Sequence, residues 1–275
     1  MKLAFSTNAY RNFSIEDSIL SIKDAGYSAI ELMCDTPHAY PPISDIEISK
    51  IKNTLEKNDM KISNLNGFML CAIQDFHHPS WIEDSLEFRT KRIQHTKNCI
   101  ILADKLNVKT VSTEPGGPIT GIPKEKDLLL FENGIKELIP LLEKLKIKLL
   151  IEPEPDLLIQ DSEQFLSFMK RIDSDFVKLN FDIGHFFCIR EDPAELVLKL
   201  QHYIEHIHIE DISKERIHNH LIPGKGVIDF QKIFSNLEKI GYGGYITVEL
   251  YPYLKEPQQA AKEAINYLKN FDLKC

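Results

Sequence analysis

Four short runs in the second half of the chain place carboxylates and imidazoles at the ends of apolar stretches. LLIEPEP carries Glu152 and Glu154, LNFDIGH carries Asp182 and His185, HIHIEDI carries His208, Glu210 and Asp211, and ITVEL carries Glu249. Polar groups at the end of an apolar strand are costly to bury unpaired. A shared divalent cation removes that cost by compensating the converging carboxylates. Glu152, Asp182, His208 and Glu249 form a hard, oxygen-rich set of three carboxylates and one imidazole. It suits Mn2+, Mg2+, Co2+ or Zn2+ and leaves coordination positions for substrate oxygens. Each residue alone has a plainer explanation. A strand-end glutamate often caps a helix, Asp182 could cap the helix that follows, and a lone histidine is usually a hydrogen-bonded core residue. Their occurrence on successive strands is what points to an ion; Glu154 stands outside the set.

These residues need a scaffold, and the hydrophobic pattern supplies one. Short β-branched and aromatic runs predict strands at Leu3–Ser6, Ala29–Leu32, Ile62–Leu65, Thr110–Ser112, Lys148–Ile151, Val177–Phe181, His206–Ile209 and Tyr245–Val248. Helical periodicity predicts helices over Ser14–Ala25, Glu87–Leu106, Lys126–Leu145, Ser162–Arg171, Pro193–His202, Phe230–Ile240 and Pro257–Asn270. Strand-then-helix units repeat without a Gly/Ser-rich linker. This predicts an α/β fold, a single (β/α)8 TIM barrel over residues 1–275. Catalytic groups in such a barrel sit at the C-terminal ends of strands, where the four runs place theirs. No GxGxxG or GxxxxGK[ST] follows the first strand, which argues against a nucleotide-binding fold.

Bulk properties narrow the partners. The net charge of −8 leaves no basic footprint for nucleic acid or an anionic membrane. Five scattered cysteines, Cys34, Cys71, Cys99, Cys188 and Cys275, form no CxxC pair and fit a reducing compartment. The start, MKLAFSTNAY, reads as a strand and not as a signal peptide, and no apolar run is long enough to span a bilayer. The expectation is a cytoplasmic protein acting on a small molecule.

Taken in order, LLIEPEP, LNFDIGH, HIHIEDI, HLIPGKGVIDF and YGGYITVEL resemble the sugar phosphate isomerase/epimerase family of xylose isomerase-like barrels. That grouping includes ketose 3-epimerases, hydroxypyruvate isomerase, inosose dehydratase and, more distantly, endonuclease IV. The resemblance implies one divalent metal held by Glu152, Asp182, His208 and Glu249. It places His185 against the substrate or a second metal. Arg216 corresponds loosely to a substrate-contacting arginine, and His220 to a histidine common in the loop before Gly224 and Gly226. Members range from monomers to tetramers, so the resemblance admits a homo-oligomer. Endonuclease IV resembles the chain at Glu152, Asp182, His185, His208, His220 and Glu249. His218 stands where that enzyme has an aspartate, and Glu114 where it has a histidine. A further ligand expected near Gly67 and Phe68 has no counterpart. One metal is therefore the expectation, with Glu114, His185, His218 and His220 as candidates for a second.

What the resemblance implies is an isomerase or epimerase of a polyhydroxy carbonyl compound, working through a metal-stabilised enediolate. Glu152 and Glu249 would exchange the proton from opposite sides. Alternatives are a lyase of the inosose dehydratase type, a multi-metal phosphodiester hydrolase and a non-catalytic metabolite-binding barrel. Phe68, Met69, Phe76 and Trp81 could form an apolar wall, although loop and helix packing explains them as well. Lys225 and Arg216 are the nearby cations, and His77 and His78 read as exposed loop residues. Gly224 and Gly226 either let the backbone approach a ligand or form an ordinary turn.

Overall fold

The computed structural model describes residues 1–68, 77–119, 121, 124–271 and 273. Eight parallel strands close into a barrel in chain order: β1 (Lys2–Ser6), β2 (Ala29–Met33), β3 (Lys61–Asn66), β4 (Thr110–Thr113), β5 (Lys148–Ile151), β6 (Val177–Asp182), β7 (Ile204–Ile209) and β8 (Tyr245–Val248). β8 returns to β1 in the register Lys2↔Tyr245 through Phe5↔Val248, which completes the predicted closure.

Around it run α1 (Ile15–Ala25), α2 (Asp45–Lys57), α3 (Leu86–Leu106), α4 (Glu125–Leu145), α5 (Ser162–Ile172), α6 (Ile183–Cys188), α7 (Pro193–Lys199), α8 (Phe230–Lys239) and α9 (Pro257–Leu268). Their ends follow local chemistry. Ser14 Oγ accepts the Asp17 N–H at 3.1 Å to open α1, and Gly26 closes it at φ +109°. Asp192 caps α7 ahead of Pro193. That helix stops at Lys199, short of the expected His202.

Two helices lie outside the sequence expectation. α2 has a narrow buried stripe of Ile48, Ile51 and Leu55, but Ser44 and Glu47 form a full capping box at its start. α6 spans only 6 residues, too few to show a period. It is started by Asp182, whose Oδ1 accepts the His185 N–H at 2.8 Å.

Apolar strand residues such as Leu3, Ile30, Leu65, Val111, Leu149 and Ile207 join the main core beneath the helices. Other strand positions are polar and cross-linked to one another. Asn64 Nδ2 donates to Glu31 Oε2 at 2.8 Å and to Ser112 Oγ at 2.9 Å, while Ser63 Oγ lies 3.2 Å from Thr247 Oγ1. Register shifts fall beside two buried polar strand positions, at Ile30/Glu31 and Leu179/Asn180. Such irregularities re-aim side chains near functional sites. Among the described residues, no helix is long and apolar enough to cross a membrane.

Candidate metal centre

β5, β6, β7 and β8 end, within a residue or two, in Glu152, Asp182, His208 and Glu249. All four are buried, and each offers a ligand atom within 4.8 Å of the others. His208 Nδ1 lies 2.7 Å from Glu152 Oε1, 3.7 Å from Glu249 Oε2 and 3.9 Å from Asp182 Oδ2. The tertiary structure thus converges the four residues on one point.

The donors fit a divalent cation. Asp182 Oδ2 is buried and has no hydrogen-bond partner among the described residues, and it faces this cluster. Burial pushes the carboxyl of Glu152 up and that of Glu249 well up, against the attraction of His208, and neighbouring carboxylates add to both rises. Burial alone would lower His208, but Glu152, Glu31 and Glu249 hold it well above the ordinary imidazole value. A positive ion at the common point would reverse the carboxylate repulsion.

A supporting layer absent from the sequence expectations holds this set. His208 Nε2 donates to Glu31 Oε2 at 2.7 Å, leaving Nδ1 toward Glu152, Asp182 and Glu249. Burial would raise Glu31, but His208 and His206 bring it well below the usual carboxylate range. Asn8 Nδ2 donates to Glu249 Oε1 at 2.8 Å, and Asn66 Nδ2 approaches the same oxygen at 3.4 Å. The available sequence signal was polar residues inside strands: Glu31 within AIELM, and Asn64 and Asn66 alternating in β3.

Beside this set lies a second group, His185, His218 and His220, again with ligand atoms within 4.8 Å of one another. His185 Nδ1 donates to the Pro153 carbonyl at 3.0 Å, and His220 Nδ1 to the Glu249 carbonyl at 2.9 Å. Both Nε2 lone pairs are thereby left free for a ligand. Burial lowers all three imidazoles, His185 far down and His220 to about 3, so they are neutral donors. His218 Nε2 and His220 Nε2 have no hydrogen-bond partner among the described residues. Glu210, fully buried, lies between the groups; it shares a grouping with Asp182 and His220.

Of these residues, Glu152, Glu249, His185, His218 and His220 line a cavity of about 600 Å³, counting the space open at its mouth. Glu114, Glu152, Glu154 and Glu249 supply carboxylates, while Met33, Phe68 and Tyr251 supply apolar faces. Glu114 is on this wall but in neither donor group; its carboxylate is paired with the buried guanidinium of Arg92.

The structure corrects several sequence expectations and decides between the readings left open for others. Arg216 does not line the cavity: its guanidinium stacks 3.9 Å over the Phe187 ring and bonds the Phe187 carbonyl. Lys225 is engaged by Glu263 at the surface. Trp81 is core, donating to Thr113 Oγ1 at 3.1 Å and packing against Phe131. Met69 and Phe76 lie outside the described residues. His77 and His78 are half-buried, not exposed, and His78 Nδ1 is 2.5 Å from Glu83. Gly224 and Gly226 serve a turn: their N–H groups donate to Asp211 Oδ2 at 2.9 and 2.8 Å. That turn fastens the loop carrying His218 and His220.

The sequence matches the xylose isomerase-like TIM barrel family over residues 19–271. An inosose dehydratase of Clostridium perfringens is 26% identical, over 93% of this chain and 89% of its own. Among solved structures, a D-tagatose 3-epimerase-like protein superposes with a TM-score of 0.81 at 24% identity, covering 99% of this chain and 98% of its own. The IolI protein, solved with a bound zinc atom, superposes with a TM-score of 0.81 at 21% identity, covering 98% of both chains. At these identities the superpositions establish the fold.

Proposed function

Since the chain belongs to the xylose isomerase-like TIM barrel family, we propose that it is a metal-dependent isomerase or epimerase of a sugar or related polyhydroxy carbonyl compound. The observation that carries this reading is the placement of two cavity-lining glutamates, Glu152 and Glu249, on either side of the sequence run through Asp182 and His208, all meeting at one point. Glu152, Asp182, His208 and Glu249 would hold the divalent ion. When bound, it supplies Lewis acidity to an oxygen next to the reacting carbon.

The chain's own residues do the rest. One of Glu152 and Glu249 takes the proton beside the carbonyl, and the other returns one at the opposite face or the adjacent carbon. Glu249 is braced for this, since Asn8 occupies its Oε1 and leaves Oε2 toward the centre. Phe68 and Tyr251 on the cavity wall would limit water around the reacting carbon. The test is turnover and solvent-deuterium exchange on an identified ketose with Glu152→Gln and Glu249→Gln; full activity in either variant would end this proposal.

A second reading is a dehydratase acting through the same proton abstraction, followed by loss of a β-hydroxyl. It is favoured by the inosose dehydratase relative, which matches across 93% of this chain. Detection of an unsaturated or dehydrated product, in place of an epimer, would select it. Exchange of no solvent proton into any bound ligand would favour a carrier role.

A further inference from the structure

We propose that the cavity selects an uncharged polyhydroxy substrate and that Glu154 is its specificity-determining residue, taking hydroxyls that the metal-binding set leaves unheld. This rests on the reading of the site as one for a polyhydroxy carbonyl compound.

The first argument is the absence of any place for an anion. Among the described residues, the wall carries Glu114, Glu152, Glu154 and Glu249 but no lysine or arginine. The guanidinium of Arg92, behind the wall, is taken up by Glu114 and Thr113. The sequence of residues 69–76, MLCAIQDF, contains neither cation. A phosphate or carboxylate held away from the ion would be desolvated beside carboxylates with no lysine or arginine on the wall to compensate it.

Phosphate-binding barrels often use backbone N–H groups in the loops after the seventh and eighth strands. In this chain a comparable nest follows β7, and an internal carboxylate fills it. Asp211 Oδ1 accepts the N–H groups of Ile212 at 3.0 Å and Ile228 at 3.1 Å, while Oδ2 accepts those of Gly224 and Gly226 at 2.9 and 2.8 Å. These donors cannot serve a substrate anion as well.

The second argument is Glu154. It is 8% exposed and lines the cavity, and its carboxyl has no hydrogen-bond or ion-pair partner among the described residues. Its backbone is fixed, with N–H to the Ile159 carbonyl at 3.1 Å and C=O from the Leu157 N–H at 3.2 Å. Its carboxyl oxygens are not sealed into the core but open to the cavity, where a ligand can use them. Two carboxyl oxygens match a pair of neighbouring hydroxyls, and Phe68 and Tyr251 offer apolar faces to the C–H groups between them.

Equilibrium binding of matched pairs to the metal-loaded protein tests this: D-tagatose against D-tagatose 6-phosphate, and D-fructose against D-fructose 6-phosphate. The expected result is at least tenfold tighter binding of the neutral member of a pair. Glu154→Ala should weaken that binding about tenfold, with a smaller loss in Glu154→Gln. Glu154→Gln should also keep or raise Tm, whereas a structural role for Glu154 would lower it. Equal or tighter binding of the phosphorylated members, unchanged neutral binding in Glu154→Ala, a lowered Tm in Glu154→Gln, or binding of neither member would overturn the proposal. Deuterium exchange in the same samples reports separately on the proton-transfer chemistry.

Discussion

His208 Nε2 lies 2.7 Å from Glu31 Oε2, joining strands β7 and β2 across the barrel and leaving Nδ1 toward Glu152, Asp182 and Glu249. A carboxylate behind a ligand imidazole fixes its tautomer and raises its basicity. Glu31→Gln should therefore lower divalent-metal affinity by roughly 10–100-fold. Competition against a chromophoric chelator measures this, and an unchanged affinity would remove Glu31 from the supporting layer.

Removing metal should destabilise the chain. Protein kept at a free metal concentration a hundredfold above Kd gains roughly 2.7 kcal/mol over the chelated form. Differential scanning calorimetry with and without a chelator should show a Tm fall of several degrees. Asp182→Asn should abolish most of that difference.

The pH dependence has a definite sign. His208, Glu154, Glu210 and Glu249 are all raised well above their ordinary values, so above pH 6.5 His208 keeps a proton that the unfolded chain has lost, and the three carboxyls hold theirs to higher pH than unfolded carboxyls do. Stability falls with pH wherever the folded state binds more protons. The lowered imidazoles His185 and His220 are neutral in both states there and contribute nothing to the slope. The chelated protein should lose Tm as pH rises above 6.5, while metal loading should flatten the slope by displacing those protons. A chelated protein whose Tm rose over that range would contradict the burial and pairing described for these groups.

The three imidazoles carry their own prediction. With Nδ1 of His185 and His220 on backbone carbonyls, the free Nε2 atoms should bind a second, weaker Zn2+ per chain. Calorimetric titration should show two events, and His218→Ala should remove only the weaker one.

Gly226 is required by space. A Cβ there would come within 2.2 Å of the Ile212 carbonyl oxygen and 2.3 Å of Asp211 Oδ1. Gly226→Ala should cost about 1–3 kcal/mol, the usual range for overpacking, and disturb the loop bearing His218 and His220. Urea unfolding and the second zinc event together would register both effects.

Read alone, the chain determined the repeating strand–helix order and the four strand ends that carry Glu152, Asp182, His208 and Glu249. Both follow from local hydrophobic pattern and from polar residues interrupting apolar runs. Asp182 shows how two local readings coexist, since one oxygen caps α6 and the other faces the ligand cluster. Glu31, Asn8, Asn64 and Asn66 acquired meaning only through barrel closure, because their partners lie up to 241 positions away in sequence. Arg216 failed for the reverse reason. A loose family resemblance suggested the cavity, but the packed loop delivers its guanidinium to the Phe187 ring. Long-range contact depends on where the closed sheet carries each backbone segment, and spacing along one chain does not encode that direction.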